Sequence, residues 1–149
     1  MKKVISLILL ISLVWLTSCQ KTPSAASVAL SFCEAYPLEA EVYSSLSEKG
    51  EKGYIDAEML TALYGTSELS VDEFALVLYG KVGTVYEFGV FLTENSDEKM
   101  DVIELATNRI NFLSSFARGE GFVKKYRTLV VYGFVDDASR AERLLDSLI

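Results

Sequence analysis

The chain has 149 residues, with 14 Lys and Arg against 21 Asp and Glu and no His. A formal charge of −7 sets it against nucleic acid, whose phosphate backbone needs a basic patch, and the missing imidazoles exclude His triads, His metal sites and His proton shuttles outright. Eight Tyr and eight Phe give enough apolar area for one packed domain and argue against wholesale disorder.

The chain starts Met1-Lys2-Lys3, a short basic stretch. Val4 to Leu16 follows, an apolar run broken only by Ser6 and Ser12. It is too short for an ordinary membrane span of about 20 residues and reads as the core of an export signal. Then comes Leu16-Thr17-Ser18-Cys19: one aliphatic residue, two small ones and a cysteine. This resembles the lipobox of bacterial lipoproteins. The resemblance implies that the Cys19 thiol takes a diacylglycerol and that a peptidase cuts just before it. Residues 1–18 are then a signal peptide, 19–24 a lipidated tether, and 25–149 a single domain. Two or more acyl chains anchor stably where one is marginal. Without Lys2 and Lys3 the charge is −9, which weakly repels anionic headgroups. The expected location is the extracytoplasmic face of the cell membrane, reached through the lipid on Cys19. With Cys19 acylated, Cys33 has no intramolecular partner and reads as a buried thiol packed like a small hydrophobe.

A polar tether over 20–24 precedes a first helix over 25–35, which Pro37 ends or kinks. Residues 38–53 are ambiguous. Val42, Tyr43 and Leu46 among glutamates fit a helical turn or two, and Ser47 to Gly53 reads as an exposed loop. Asp56 looks like the N-cap of a helix over 57–64, with Gly65 just past its end. Phe74 to Tyr79 is a continuous apolar run, and Tyr86 to Thr93 is another. With Lys81-Val82-Gly83 turning between them they predict a hairpin over 74–93. Asn95-Ser96-Asp97 caps the clearest helix, 97–117. Gly119 and Gly121 end it. The strand region 121–135 is either one long bent strand or a second hairpin. Asp136-Asp137 leads into a last helix over 139–148, where Ser139 with Glu142 fits a capping box.

The long helix carries an odd residue. At 100° per residue, Val102, Leu105, Ala106, Ile110, Phe112, Leu113 and Phe116 make one wide apolar arc, and Arg109 falls inside it. A guanidinium keeps its proton, so in such a place it must find acceptors or snorkel out. The second strand has a matching oddity in Glu87, on a strand that is otherwise apolar on both faces. The two are expected to meet as a partly buried ion pair. That pair reads first as structural; the other reading is a small polar pocket in which Arg109 receives an anionic ligand.

Asp136-Asp137 and Asn95-Ser96-Asp97-Glu98 lack the spacing of a calcium loop and suit helix N-termini instead. Gly80-Lys81-Val82-Gly83-Thr84 is not a phosphate loop. No Ser-x-x-Lys stands in a catalytic setting. No metal, cofactor or catalytic group is expected. Tyr54, Tyr64, Tyr79, Tyr86, Tyr126 and Tyr132 are candidates for an exposed aromatic patch, with core and rim packing as the default.

Leu63-Tyr64-Gly65, the run Val85-Tyr86-Glu87-Phe88-Gly89-Val90-Phe91, the Arg109 helix and the strand entering Asp136-Asp137-Ala138 resemble a family of small lipoproteins of unknown function from low-GC Gram-positive bacteria. The resemblance implies a Glu in the strand and an Arg in the helix, matched here by Glu87 and Arg109. It implies location and fold but no activity. The fold expected is α+β: an antiparallel sheet of three or four strands, covered on one face by helices 97–117 and 139–148, with N-terminal helices alongside. The function expected is that of a non-enzymatic binding module that engages an envelope protein or cell-wall component. The alternative is a small-ligand receptor that binds an anionic group through Arg109.

Overall fold

Two apolar runs sit in the middle of the chain, and they pair as the central strands of one sheet. The computed structural model describes residues 22–36, 39–81 and 84–149. The lipobox, Cys19, Pro37 and the Val82-Gly83 turn lie outside the described residues. β2 (Glu73–Lys81) and β3 (Thr84–Leu92) are antiparallel neighbours. β5 (Leu129–Val135) pairs with the other edge of β3, and β4 (Glu120–Lys125) folds back on β5. The region 121–135 is therefore a hairpin, closed where the Tyr126 N–H donates to the Leu129 carbonyl at 2.8 Å.

The sheet gains a fifth strand in the stretch the sequence left ambiguous. β1 (Glu41–Ser44) pairs with β2 from Glu41 opposite Leu78 to Ser44 opposite Ala75. Four residues are too few to display a period of two. The strand forms because β2 offers an open row of backbone groups. The strand order is β1-β2-β3-β5-β4, antiparallel throughout.

Four helices complete the described residues: α1 (Ala25–Ala35), α2 (Ala57–Tyr64), α3 (Ser96–Ser114) and α4 (Ala138–Leu148). Each starts on a side-chain cap. Ser24 accepts from the Ser27 N–H at 3.1 Å, Asp56 from Met59 at 2.8 Å, Asn95 from Asp97 at 2.9 Å and Asp137 from Arg140 at 2.8 Å. Such caps satisfy N–H groups that the helix itself cannot. The Ser139–Glu142 box is displaced by Asp137, so α4 begins one residue earlier. Gly65, in the left-handed region at φ +75, closes α2. α3 stops at Ser114 and ends in a turn over 115–116, short of the expected 117.

The long helix and the last helix lie on opposite faces of the sheet, not on one. α1 and α4 cover Ala75, Val77, Phe88, Val90, Leu129 and Val131. α2 and α3 cover Phe74, Leu76, Phe91, Val130 and Tyr132. The reason is in β5, Leu-Val-Val-Tyr-Gly-Phe-Val, every residue of which is buried. A strand apolar on both faces needs cover on both.

Gly89 sets the packing of the α2–α3 face. It stands opposite Tyr132 in the ladder, and a Cβ there would come within 2.2 Å of the Tyr132 ring. The ring therefore lies on the bare backbone of β3, stacked on Phe91 at 6.0 Å. Gly121 does the same for α3, since its Cβ would strike the Ile110 methyl at 2.1 Å. Gly89→Ala should cost about 2 kcal/mol or more in urea unfolding, as overpacking against a fixed ring does. Gly80→Ala, with nothing within 4 Å of the added carbon, should be near neutral.

Candidate functional site

Glu87 and Arg109 meet as expected. Glu87 lies on β3, on the α2–α3 face, and Arg109 reaches it from the middle of α3. Nε donates to Oε1 at 2.8 Å and to Oε2 at 3.1 Å, and Nη2 donates to Oε2 at 2.7 Å. This is a fork on a carboxylate, the strongest form of such a pair. The Glu87 side chain is 2% exposed and that of Arg109 11%. A carboxylate so buried needs its charge matched and its lone pairs filled.

Two tyrosines extend the pair, and sequence reasoning missed them as site residues. The Tyr132 hydroxyl donates to Glu87 Oε1 at 2.5 Å. The Tyr64 hydroxyl, at the end of α2, lies 2.5 Å from that of Tyr132. One network thus ties α2, α3, β3 and β5 together. The signal was the strand register. Once Tyr132 faces Gly89, its hydroxyl must pass over toward Glu87, two residues along the neighbouring strand.

Burial raises the ionisation of both tyrosines above the ordinary value. For Tyr132 the neighbouring Tyr64, the Glu87 charge and its hydrogen bonds push the same way. For Tyr64 the Glu87 charge adds to burial, against smaller opposing effects from Tyr132 and Arg109.

Beside the network, α2 and α3 border a groove of about 420 Å³. Leu63, Tyr64, Leu105, Arg109 and Phe112 line it, and Asp101 and Glu104 stand on the α3 side. Among the described residues Arg109 Nη1 has no hydrogen-bond partner, yet no buried side-chain nitrogen or oxygen lacks one. Nη1 therefore reaches the water of the groove. The Phe112 ring lies 5.4 Å from the guanidinium carbon.

The wide apolar arc of α3 is only half used. Val102, Ala106 and Leu113 are buried, whereas Phe112 is 57% and Phe116 60% exposed. The two rings touch edge to face at 5.2 Å. They form an outward aromatic pair next to the groove, where the sequence pattern predicted core.

The other candidates fall out as helix and packing groups. Asp137 caps α4, and Asp136 accepts from the Tyr36 hydroxyl. Tyr79 and Tyr86 stack on each other across the β2–β3 hairpin at 5.7 Å. Among the described residues no three acidic or cysteine side chains gather to hold a metal ion. Cys33 is half-buried, and burial, with Glu34 beside it, pushes its thiol up to about 11. A thiol held that high is a poor nucleophile.

Two predictions follow from this network. Glu87→Ala and Arg109→Ala should each cost about 3–5 kcal/mol, because each strands a buried charge, and the double variant should cost less than their sum. Additive losses in urea unfolding would refute the coupling. Stability should also fall at alkaline pH. Below pH 10 both tyrosines keep their protons folded or unfolded. Above it the unfolded chain binds fewer protons, and stability drops by about 1.4 kcal/mol per pH unit for each suppressed tyrosine. Tyr132→Phe should remove one such share from the slope measured above pH 10. Compared with family models, with curated proteins and with solved structures, the chain matches none.

Proposed function

We propose that this chain is a lipid-anchored extracytoplasmic protein that works without catalysis, holding an envelope protein or cell-wall component against the groove between α2 and α3. The observation that carries this reading is the outward pair Phe112 and Phe116 beside that groove. Exposed aromatic area next to a concave site is the usual composition of a binding surface. The anchor rests on Leu16-Thr17-Ser18-Cys19 and the apolar run before it. Among the described residues no helix is long and apolar enough to cross a membrane. The resemblance to small lipoproteins of low-GC Gram-positive bacteria supports the same location.

A second reading, a receptor for a small anionic group at Arg109, draws support from the donors that Nη1 turns to the groove. Glu87 already neutralises that guanidinium, and Asp101 and Glu104 share the groove. These charges favour a partner that brings apolar or cationic groups over a bare anion.

Both halves of the proposal can be tested on intact cells. A clickable fatty acid should label the wild type and leave Cys19→Ala unlabelled; equal labelling would remove the anchor. A benzophenone crosslinker at position 112 or 116 should give one discrete adduct. The same group at position 100, where Met100 is 61% exposed about 120° round the helix, should give none. Equal adducts at 100 and 112 would remove the groove as the binding surface.

A further inference from the structure

We infer that the groove between α2 and α3 takes an extended segment of a partner protein, one with a basic side chain four residues from an apolar one. The inference rests on the proposed binding role of this groove and names the chemistry of its occupant.

The acids of the groove have no cation to match them. Asp101 and Glu104 are exposed on α3, and among the described residues neither forms an ion pair. α2 and the loop after it, residues 57–69, carry Glu58 and Glu68 and no Lys or Arg. α3 has two cations. Lys99 is buried and donates to the Arg127 carbonyl at 2.8 Å and the Glu94 carbonyl at 3.4 Å, away from the groove. Arg109 is neutralised by Glu87. The walls therefore carry a negative surplus that a Lys or Arg from outside would meet.

Arg109 asks for something different. Its side chain is 11% exposed, and only Nη1 turns to the groove. Because Glu87 balances its charge, the match for Nη1 is a neutral acceptor such as a main-chain carbonyl. Leu63, Leu105 and Phe112 add an apolar wall, and Phe116 continues it edge to face. A peptide brings a carbonyl, a cation and an apolar side chain together, whereas a glycan brings hydroxyls and no cation.

The spacing sets the order of these groups. Glu104, Asn108 and Phe112 follow one another at i, i+4 and i+8 along one stripe of α3. Glu104 and Phe112 are about 12 Å apart along the axis at 1.5 Å per residue. Four residues of extended chain cover about 13 Å, and side chains four apart point to the same side. An apolar residue on Phe112 thus sets a basic residue at Glu104, and the chain between them passes Arg109. Exposed ion pairs add little affinity, so the acids select the partner and the apolar contact holds it.

The test selects random dodecapeptides displayed on phage with the full chain purified in detergent. The wild type should enrich, severalfold over the starting library, peptides with Lys or Arg four residues from a large apolar residue. Asp101→Lys with Glu104→Lys should enrich Asp or Glu in that place, a reversal that a misfolded variant cannot give. Asp101→Asn with Glu104→Gln should keep the apolar residue and lose the charge preference. Peptides that depend on Phe112, by their loss in Phe112→Ser, yet are the same for the wild type and the double Lys variant overturn the basic requirement while the groove stands. Peptides indifferent to Phe112→Ser overturn this site for them. No enrichment overturns the protein segment; a cellular adduct at position 112 that muramidase digests would then assign the groove to the cell wall, and no adduct would remove the groove as well.

Discussion

The buried fork between Glu87 and Arg109 is the constraint on which the α2–α3 half of the molecule depends. An apolar pair of the same volume would hold β3 to α3 at least as firmly, since burying two charges is costly and their attraction barely offsets it. What the ion pair adds is direction. Arg109 falls inside the apolar arc of α3, between Val102 and Phe112 round the helix. For its Nε and Nη2 to meet both oxygens of Glu87, the helix must hold one angle of roll. At that angle Val102, Ala106 and Leu113 face the sheet, and Phe112 and Phe116 face water. Phe112 follows Arg109 by about one turn, and Phe116 lies in the turn past the helix end, so both rings stand beside the buried charges.

The same network needs bare backbone in two places. Tyr132 reaches Glu87 only because Gly89 leaves room for its ring, and α3 comes close enough only because Gly121 leaves room for Ile110. Tyr64 then fastens the end of α2 to the sheet through the Tyr132 hydroxyl. Four elements distant in sequence converge on one carboxylate. Leaving any of its partners unmade would strand a buried polar group, which is costlier than the bond itself is strong.

Much of this was legible in the residues. The central hairpin shows as two apolar runs, and two helix starts show as Asp56 and Asn95, because these signals are local. The Glu87–Arg109 pair was legible because each residue breaks an otherwise apolar pattern. What was not legible depends on neighbours. β1 is a strand only because β2 offers it an edge. The two long helices part to opposite faces because β5 is apolar on both, which shows in the sequence but does not say which helix goes where. Tyr64 and Tyr132 belong to the site through strand register, and register was unknown until β5 was seen to pair with β3. The exposure of Phe112 and Phe116 was invisible because hydrophobic periodicity reports the apolar arc of a helix, not which part of that arc the sheet covers or where the helix stops.

The topology also sorts the surface by end. Leu92 and Leu129 pair at one end of the sheet, α3 leaves from that end, and Thr22 lies there too. Glu120 and Val135 pair toward the other end, which α3 approaches as it runs to Ser114. Nineteen helical residues span about 28 Å at 1.5 Å each, so the phenylalanines stand most of a helix length from the tether. Whatever meets the aromatic pair therefore meets the domain at the end away from Thr22. The antiparallel order that puts α3 between β3 and β4 in the chain creates that separation.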